Sequence, residues 1–512
     1  MSLRRKLLIT AGIVLGVAIL IPVIHHYQLR AATEAYIAQL KAQGEPMELS
    51  QVLPPPVPPE QNGVPFIRYV LTNLAWSGVV WTNPPPAMRM ISPGKAMIGW
   101  QQPKIMVFGV FCVTNTWEEL SRELATANGE IESFQNLTNH PILDFNLDYE
   151  KGSDLLLPHL GWLKGSAQWL SAAALYDLHE GDPKSACTNV RAMLAIAKGE
   201  SDERNLISQL VRIAIAAIGA NATWEILQDP NISDENLAQL EQDWQSLDFT
   251  KSLELALMFE RVENLQECVQ TRKSSEKFDK LWGYFYTPDA FAEPELDQFG
   301  ERPRRSLFLR KCDELQWRWF WSYQDELYGL RSLQVVIDAT RSAQTSKSFQ
   351  VVQSFTSPRL FQLNEKHSVN PMNGLRDVFR GGPRVAALRV AMQIETTRNM
   401  VITAIALKRY QLQHQQFPAS LNELTPELLN AVPVDWMVGQ PLRYRRNADG
   451  TFLLYSVGEN GQDDGGNPAL EQDFKFLNYY KWQDHVVLDW VWPQPAMAEE
   501  VQAYYDRQKP RN

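Results

Sequence analysis

A chain of 512 residues with 45% apolar and 21% charged side chains is long enough for two or three domains and can bury substantial cores, which excludes wholesale disorder. Its formal net charge of −10 excludes the basic footprint that a nucleic-acid partner requires. The four cysteines, Cys112, Cys187, Cys268 and Cys312, form no CxxC pair and have no histidine at zinc-finger spacing. Free buried thiols and two disulfides of open connectivity stand as alternatives.

Leu7 to Ile24 (LLITAGIVLGVAILIPVI) carries no charge, and its 18 residues give a helix of about 27 Å, close to the hydrocarbon thickness of a bilayer. Twelve of them are Leu, Ile or Val, worth roughly −4 to −7 kcal/mol of insertion free energy. The segment is expected to span a bacterial inner membrane once, as an uncleaved anchor. Arg4, Arg5 and Lys6 precede it and only Arg30 follows closely, so residues 1–6 form a cytoplasmic tail and the bulk is extracytoplasmic. A cleaved signal peptide would have a shorter apolar core followed by a small-x-small site. The apolar run Ile213–Ala220 is bounded by Arg212 and Asn221 and reads as a buried helix of the body.

Residues 25–61 read as a short helix from about Ala31 to Ala42, followed by a spacer extended by Pro54–Pro59. Residues 62–380 form the helical extracytoplasmic body. Asn62 is expected to cap a helix through about Trp76, and IMVFGVFCV (105–113) is a short strand or a buried turn. From Thr116 the pattern is helical. Leu160, Leu163, Ala167, Leu170 and Ala174 share a face, and Gly181-Asp182-Pro183 turns Trp162–Ala197 into a helical hairpin. Ser201 and Ser233 are expected N-caps of helices reaching Leu227 and Leu247, with long helices at Thr250–Lys273 and Glu314–Ala343. A further helix runs from Pro383 to about Gln416. After it, FPASLNEL reads as a short capped helix, LRYRR and TFLLYSV as strands around Asn447–Gly450, and His485–Val491 as a last strand. Residues 381–498 thus form a small α/β module and 499–512 a tail.

The loop Gly458–Gly466 combines carboxylates, an amide oxygen and glycines. A calcium ion needs that oxygen-rich, pliable setting, although the spacing is not that of an EF-hand. Linear catalytic motifs such as H-E-x-x-H, G-x-S-x-G and the P-loop are missing. Ser274–Lys277 matches S-x-x-K without the K-T-G that would complete a penicillin-binding site. Pro141 between His140 and Asp144 favours a loop over a metal pair there. The basic residues Arg302, Arg304, Arg305, Arg310 and Lys311 read as solvated. Arg212 in LISQLVRIAIAAI must be paired if buried, and Glu260 is the expected partner.

The stretch from FPASLNEL through LRYRR and TFLLYSV to GENGQDDGG resembles the C-terminal half of type II secretion major pseudopilins. That resemblance implies a long helix before a small sheet and a calcium loop, with Asp463 and Asp464 as ligands. The start LRRKLLIT lacks the processing signature of those proteins. As a whole the chain resembles a group of bacterial envelope proteins with no assigned activity, which join a proline spacer, a helical body and this module. The expected fold is therefore mainly α: an N-terminal transmembrane helix, an irregular helical-hairpin body and a C-terminal helix-plus-antiparallel-sheet module. The expected role is a membrane-anchored scaffold or interaction protein of the envelope, associated with secretion. The alternative is an envelope enzyme whose site assembles from residues distant in sequence.

Overall fold

The structure, a computed structural model, describes residues 3–74, 78–107, 113–285, 307–366, 382–468 and 488–508. Helix α1 runs unbroken from Leu3 to Ala42, so the apolar segment and the short helix expected from Ala31 are one rod with Pro22 inside it. From Val23 to Gln43 the chain has no glycine or proline to stop it, and Gly44 at φ +82° ends it. A four-residue helix α2 (Leu49–Val52) follows, its Val52 packed against Phe259 and Val262. Pro54–Pro58 is extended, and its start is held to the body by that contact.

Asn62 is not the N-cap of α3 (Val64–Asn73): Gly63 holds that position with no side-chain cap. Asn62, one residue earlier, ties the helix start to the neighbouring loop, its Oδ1 accepting from Val64 N at 3.0 Å and from Asp144 N at 3.1 Å. Trp76 lies outside the described residues. After α4 (Val79–Thr82), the chain makes two antiparallel hairpins: β1 (Arg89–Ser92) with β2 (Lys95–Met97), and β3 (Ile105–Val107) with β4 (Val113–Asn115). The IMV run is therefore a strand. Residues 108–112, with Cys112, lie outside the described residues.

Thr116 opens α5 (Trp117–Thr126) through a reciprocal capping box with Glu119, and α6 (Asn128–Gln135) follows. The expected hairpin is α7 (Pro158–His179) and α8 (Pro183–Gly199). Gly181 is at φ +81°, and the Asp182 carboxylate accepts from Ser185 N at 3.0 Å. Ser201 does not cap the next helix. It lies in a 3₁₀ turn, Glu200–Asp202, and α9 (Leu206–Leu227) is capped by Asn205, whose side chain accepts from Ile207 N at 2.8 Å. Ser233 does cap α10 (Asp234–Gln245). Then come α11 (Phe249–Lys273), α12 (Ser275–Phe285) and α13 (Leu307–Gln316). The single helix expected over Glu314–Ala343 is interrupted. WRWFW (Trp317–Trp321) forms a π-turn between α13 and α14 (Ser322–Ser346), a wider turn that seats Trp317 inside with its Nε1 donating to Asp325 at 2.9 Å. Helix α15 (Phe349–Lys366) ends this part of the chain.

Helix α16 (Gly382–His414) packs on α9, α10 and α11. The short strands β5 (Val434–Asp435) and β6 (Gln440–Pro441) pair with each other. In the next sheet β7 (Arg443–Arg446) and β8 (Phe452–Ser456) pair antiparallel as expected, extended by β9 (Trp490–Val491). The residues of the expected last strand up to 487 lie outside the described ones. β10 (Gln494–Pro495) then crosses to pair parallel with β2, and the supposed tail forms α17 (Ala498–Gln508), with Val501 packed on Ile91 and Met97. One apolar core runs from α3 through α7, α8 and α9 into Leu454, Trp490 and Trp492. Helix α9 has the length and hydropathy to cross a membrane, but it is a core helix of this body.

Candidate functional site

The chemistry-bearing cluster that the fold assembles was not marked by any linear motif. Pro158 starts α7 and sets His159 in its first turn, where the Phe145 ring stacks on the imidazole at 4.1 Å. Gly199 ends α8 against Leu143, whose N donates to Gly199 O at 3.0 Å. A Cβ on Gly199 would lie 2.6 Å from Leu143 Cγ, so only glycine allows this approach. The following turn carries Glu200 and Glu203. Its shape is held by Gln209, whose Nε2 donates to Glu203 O at 2.7 Å and Glu200 O at 3.3 Å.

Three side chains meet there. His159 Nε2 lies 3.0 and 3.2 Å from the Glu203 oxygens, and Ser208 Oγ donates to Glu203 Oε1. Glu200 completes the group, with one ligand atom from each residue lying within 4.8 Å of the others. His159, Glu200 and Glu203 are 3%, 1% and 6% exposed. No N–H or hydroxyl group donates to either Glu200 oxygen, whose hydrogen-bonding neighbour is the Glu203 carboxyl. Burial, reinforced by the Glu203 charge, pushes the Glu200 carboxyl well above the usual range. Arg212 is the nearby cation whose field opposes this.

Arg212 is buried as its sequence context required, but it does not pair with Glu260, which is bound by Arg384 at 2.6 Å. Those two lie on α11 and α16, whereas the Arg212 guanidinium donates to Ala197 O and to Gln209 Oε1 at 3.3 Å and sits over the Phe249 ring at 4.6 Å. Burial pulls its pKa down to about 10, opposed by the fields of Glu395, Asp248 and Glu200.

Asp463 and Asp464 lie together in the Gly458–Gly466 loop. The Asp463 carboxylate accepts from Arg443 Nε at 3.1 Å, Tyr455 Oη at 2.9 Å and Gly465 N at 3.0 Å. Asp464 accepts from Asn460 Nδ2 at 3.4 Å. Among the described residues, the two aspartates belong to no group of three ligand side chains as close as the His159 cluster. His140 Nδ1 donates to Glu60 O at 3.1 Å and its ring stacks on Phe66, and the Ser274 hydroxyl accepts from Lys277 N at the start of α12. Cys187 and Cys268 are buried free thiols, and Cys312 is an exposed one. Of the basic residues, Arg310 pairs with Asp279 and Lys311 with Glu314; Arg302, Arg304 and Arg305 lie outside the described residues.

Comparison with protein-family models, with curated proteins and with solved structures gives no match.

Proposed function

We propose that this chain is a single-pass membrane-anchored scaffold or interaction protein of the bacterial envelope, with residues 7–24 in the bilayer and its body outside the cytoplasm. The observation that carries this reading is the surroundings of the anchor's far end. Ile9, Leu20, Ile21 and Ile24 are exposed on α1. Directly beyond them, His26 packs on Trp319 with ring centroids 5.1 Å apart, and its Nδ1 meets Trp319 O at 2.9 Å. Trp319 and Phe320 are exposed beside it, an aromatic patch at the height where a bilayer interface would fall. Trp317, two residues before Trp319, is buried.

The anchor is also braced to the body. Leu40 is buried, Thr33 Oγ1 donates to Tyr323 O at 3.2 Å, and Glu45 accepts from Arg341 and from Arg261 at 2.9 Å. A rigid rod continuous with a large helical body suits a part that holds its face at a set height above a membrane. A reporter enzyme that matures only outside the cytoplasm, fused after Asn512, is expected to be active, and carbonate washing is expected to leave the protein in the membrane fraction. Activity of a cytoplasm-only reporter at that position would overturn the reading.

A calcium ion at Asp463 and Asp464 is proposed as an accessory to this role. It is supported by Asp489, a buried neighbour that accepts from Gly466 N at 2.7 Å and whose Oδ1 receives no hydrogen bond. Binding to the native state alone adds about 2.7 kcal/mol at a hundredfold excess over Kd. The full chain is therefore expected to melt higher with calcium than with chelator, and Asp463→Ala with Asp464→Ala to remove the difference. Equal melting of the wild type in both conditions would end the assignment.

A further inference from the structure

We infer that His159, Glu200 and Glu203 form a site for one divalent transition-metal ion, zinc by its donor set, which ties the start of α7 to the turn between α8 and α9. Imidazole nitrogen and carboxylate oxygen are both zinc donors, and the imidazole selects against calcium and magnesium, which take oxygen ligands.

The spacing is that of a ligand set drawn together. Donors at about 2.0–2.1 Å from a tetrahedral centre stand about 3.3 Å apart. His159 Nε2 is hydrogen-bonded to the Glu203 oxygens at 3.0 and 3.2 Å, and all three ligand atoms fit within 4.8 Å, so an ion would take the place of that hydrogen bond and draw Glu200 in. Glu200 supplies the independent sign of a missing partner. Its carboxyl is 1% exposed, lies among the other two ligands, receives no hydrogen bond from any N–H or hydroxyl group, and has only the like-charged Glu203 carboxyl as its hydrogen-bonding neighbour.

The nearby arginine does not fill that role. Arg212 spends its donors on Ala197 O and Gln209 Oε1 and its face on Phe249. A dication balances two carboxylates in one enclosure, where a single shared proton removes only one charge. The outer contacts are those a ligand set needs: Ser208 Oγ orients Glu203 and the Phe145 ring fixes the plane of His159. Because the group is closed from solvent, the ion would be structural, its fourth position taken by the second oxygen of one of the two carboxylates.

The test uses the full-length chain in detergent, stripped with chelator and titrated separately with zinc, calcium and cobalt(II). The wild type is expected to take up one zinc per chain, to melt higher with zinc, and to give the intense visible bands of four-coordinate cobalt. Glu200→Gln and His159→Gln are expected to lose all three signals. Ser208→Ala is expected to keep the bands and weaken zinc binding by about ten- to a hundredfold, which keeps the test open if a ligand variant does not fold. Asp463→Asn is expected to leave zinc binding unchanged, separating this site from the Gly458–Gly466 loop. Absence of stoichiometric zinc in the wild type, or equal uptake by folded Glu200→Gln, would overturn the assignment. A Glu200→Gln chain that melts higher than a zinc-indifferent wild type would replace it with a carboxyl pair sharing a proton.

Discussion

Arg212→Ala is expected to lower the unfolding free energy by roughly 3–5 kcal/mol, the cost of removing one member of a buried charged network. The guanidinium is 1% exposed, so its loss leaves an internal space that water does not readily fill. It also leaves Ala197 O and Gln209 Oε1 without their donor and strips the fields of Glu200 and Glu395 of a compensating charge. Arg212→Met, which keeps much of the volume, is expected to recover part of the loss, and the remainder reports the charge. Urea unfolding followed by far-ultraviolet circular dichroism measures both. A change near zero for the alanine variant would mean that the side chain is hydrated in solution. Glu260→Ala, by contrast, is expected to act through Arg384 and not through Arg212.

Glu225→Ala is the second large effect, expected at roughly 2–6 kcal/mol. Glu225 is fully buried near the end of α9 and fastens the hairpin of β1 and β2 there by accepting from Met88 N at 2.7 Å and from Gly99 N at 2.9 and 3.0 Å. Alanine leaves two backbone N–H groups without acceptors, each at about 1–3 kcal/mol. Gly99 itself is required there, since a Cβ would fall 2.2 Å from Pro86 O.

The same residue predicts a pH dependence. Burial pushes the Glu225 carboxyl up to about 8, against the pull of its N–H donors, from an ordinary value of 4.5. The folded state therefore holds this proton more tightly than the unfolded chain. Its contribution is fully present below about pH 4.5 and is lost as pH rises through about 8, at no more than about 1.4 kcal/mol per pH unit. The urea midpoint is expected to fall between pH 6 and 8.5, and the alanine variant to show a shallower fall. An unchanged slope would place the linkage elsewhere, on Asp177 or Glu263, whose burial pushes each of them to about 7.

What the residues determined alone is the set of local elements. Apolar side chains at three- and four-residue steps mark α7, Gly181-Asp182-Pro183 turns it into α8, Ser233 starts α10, and alternation around Asn447–Gly450 pairs β7 with β8. Each depends on contacts within a few residues, so each is written in a short window. The buried state of Arg212 was also legible, because a lone charge in an apolar helix has few other places to go.

Tertiary structure decided the rest. The partner of Arg212 depended on how α8 and α9 cross, which no window contains. Trp317 pointed inward because the π-turn shifts the helical phase within WRWFW, and α17 packed as a helix because β10 crosses to β2 and carries it there. The His159 cluster is the sharpest case. Its histidine opens one helix and its glutamates sit in the turn after the next, so their chemistry exists only once α7, α8 and α9 have packed. A pair of glutamates three apart after a helix-ending glycine was the visible trace, and without the imidazole brought beside it that trace reads as an ordinary solvated turn.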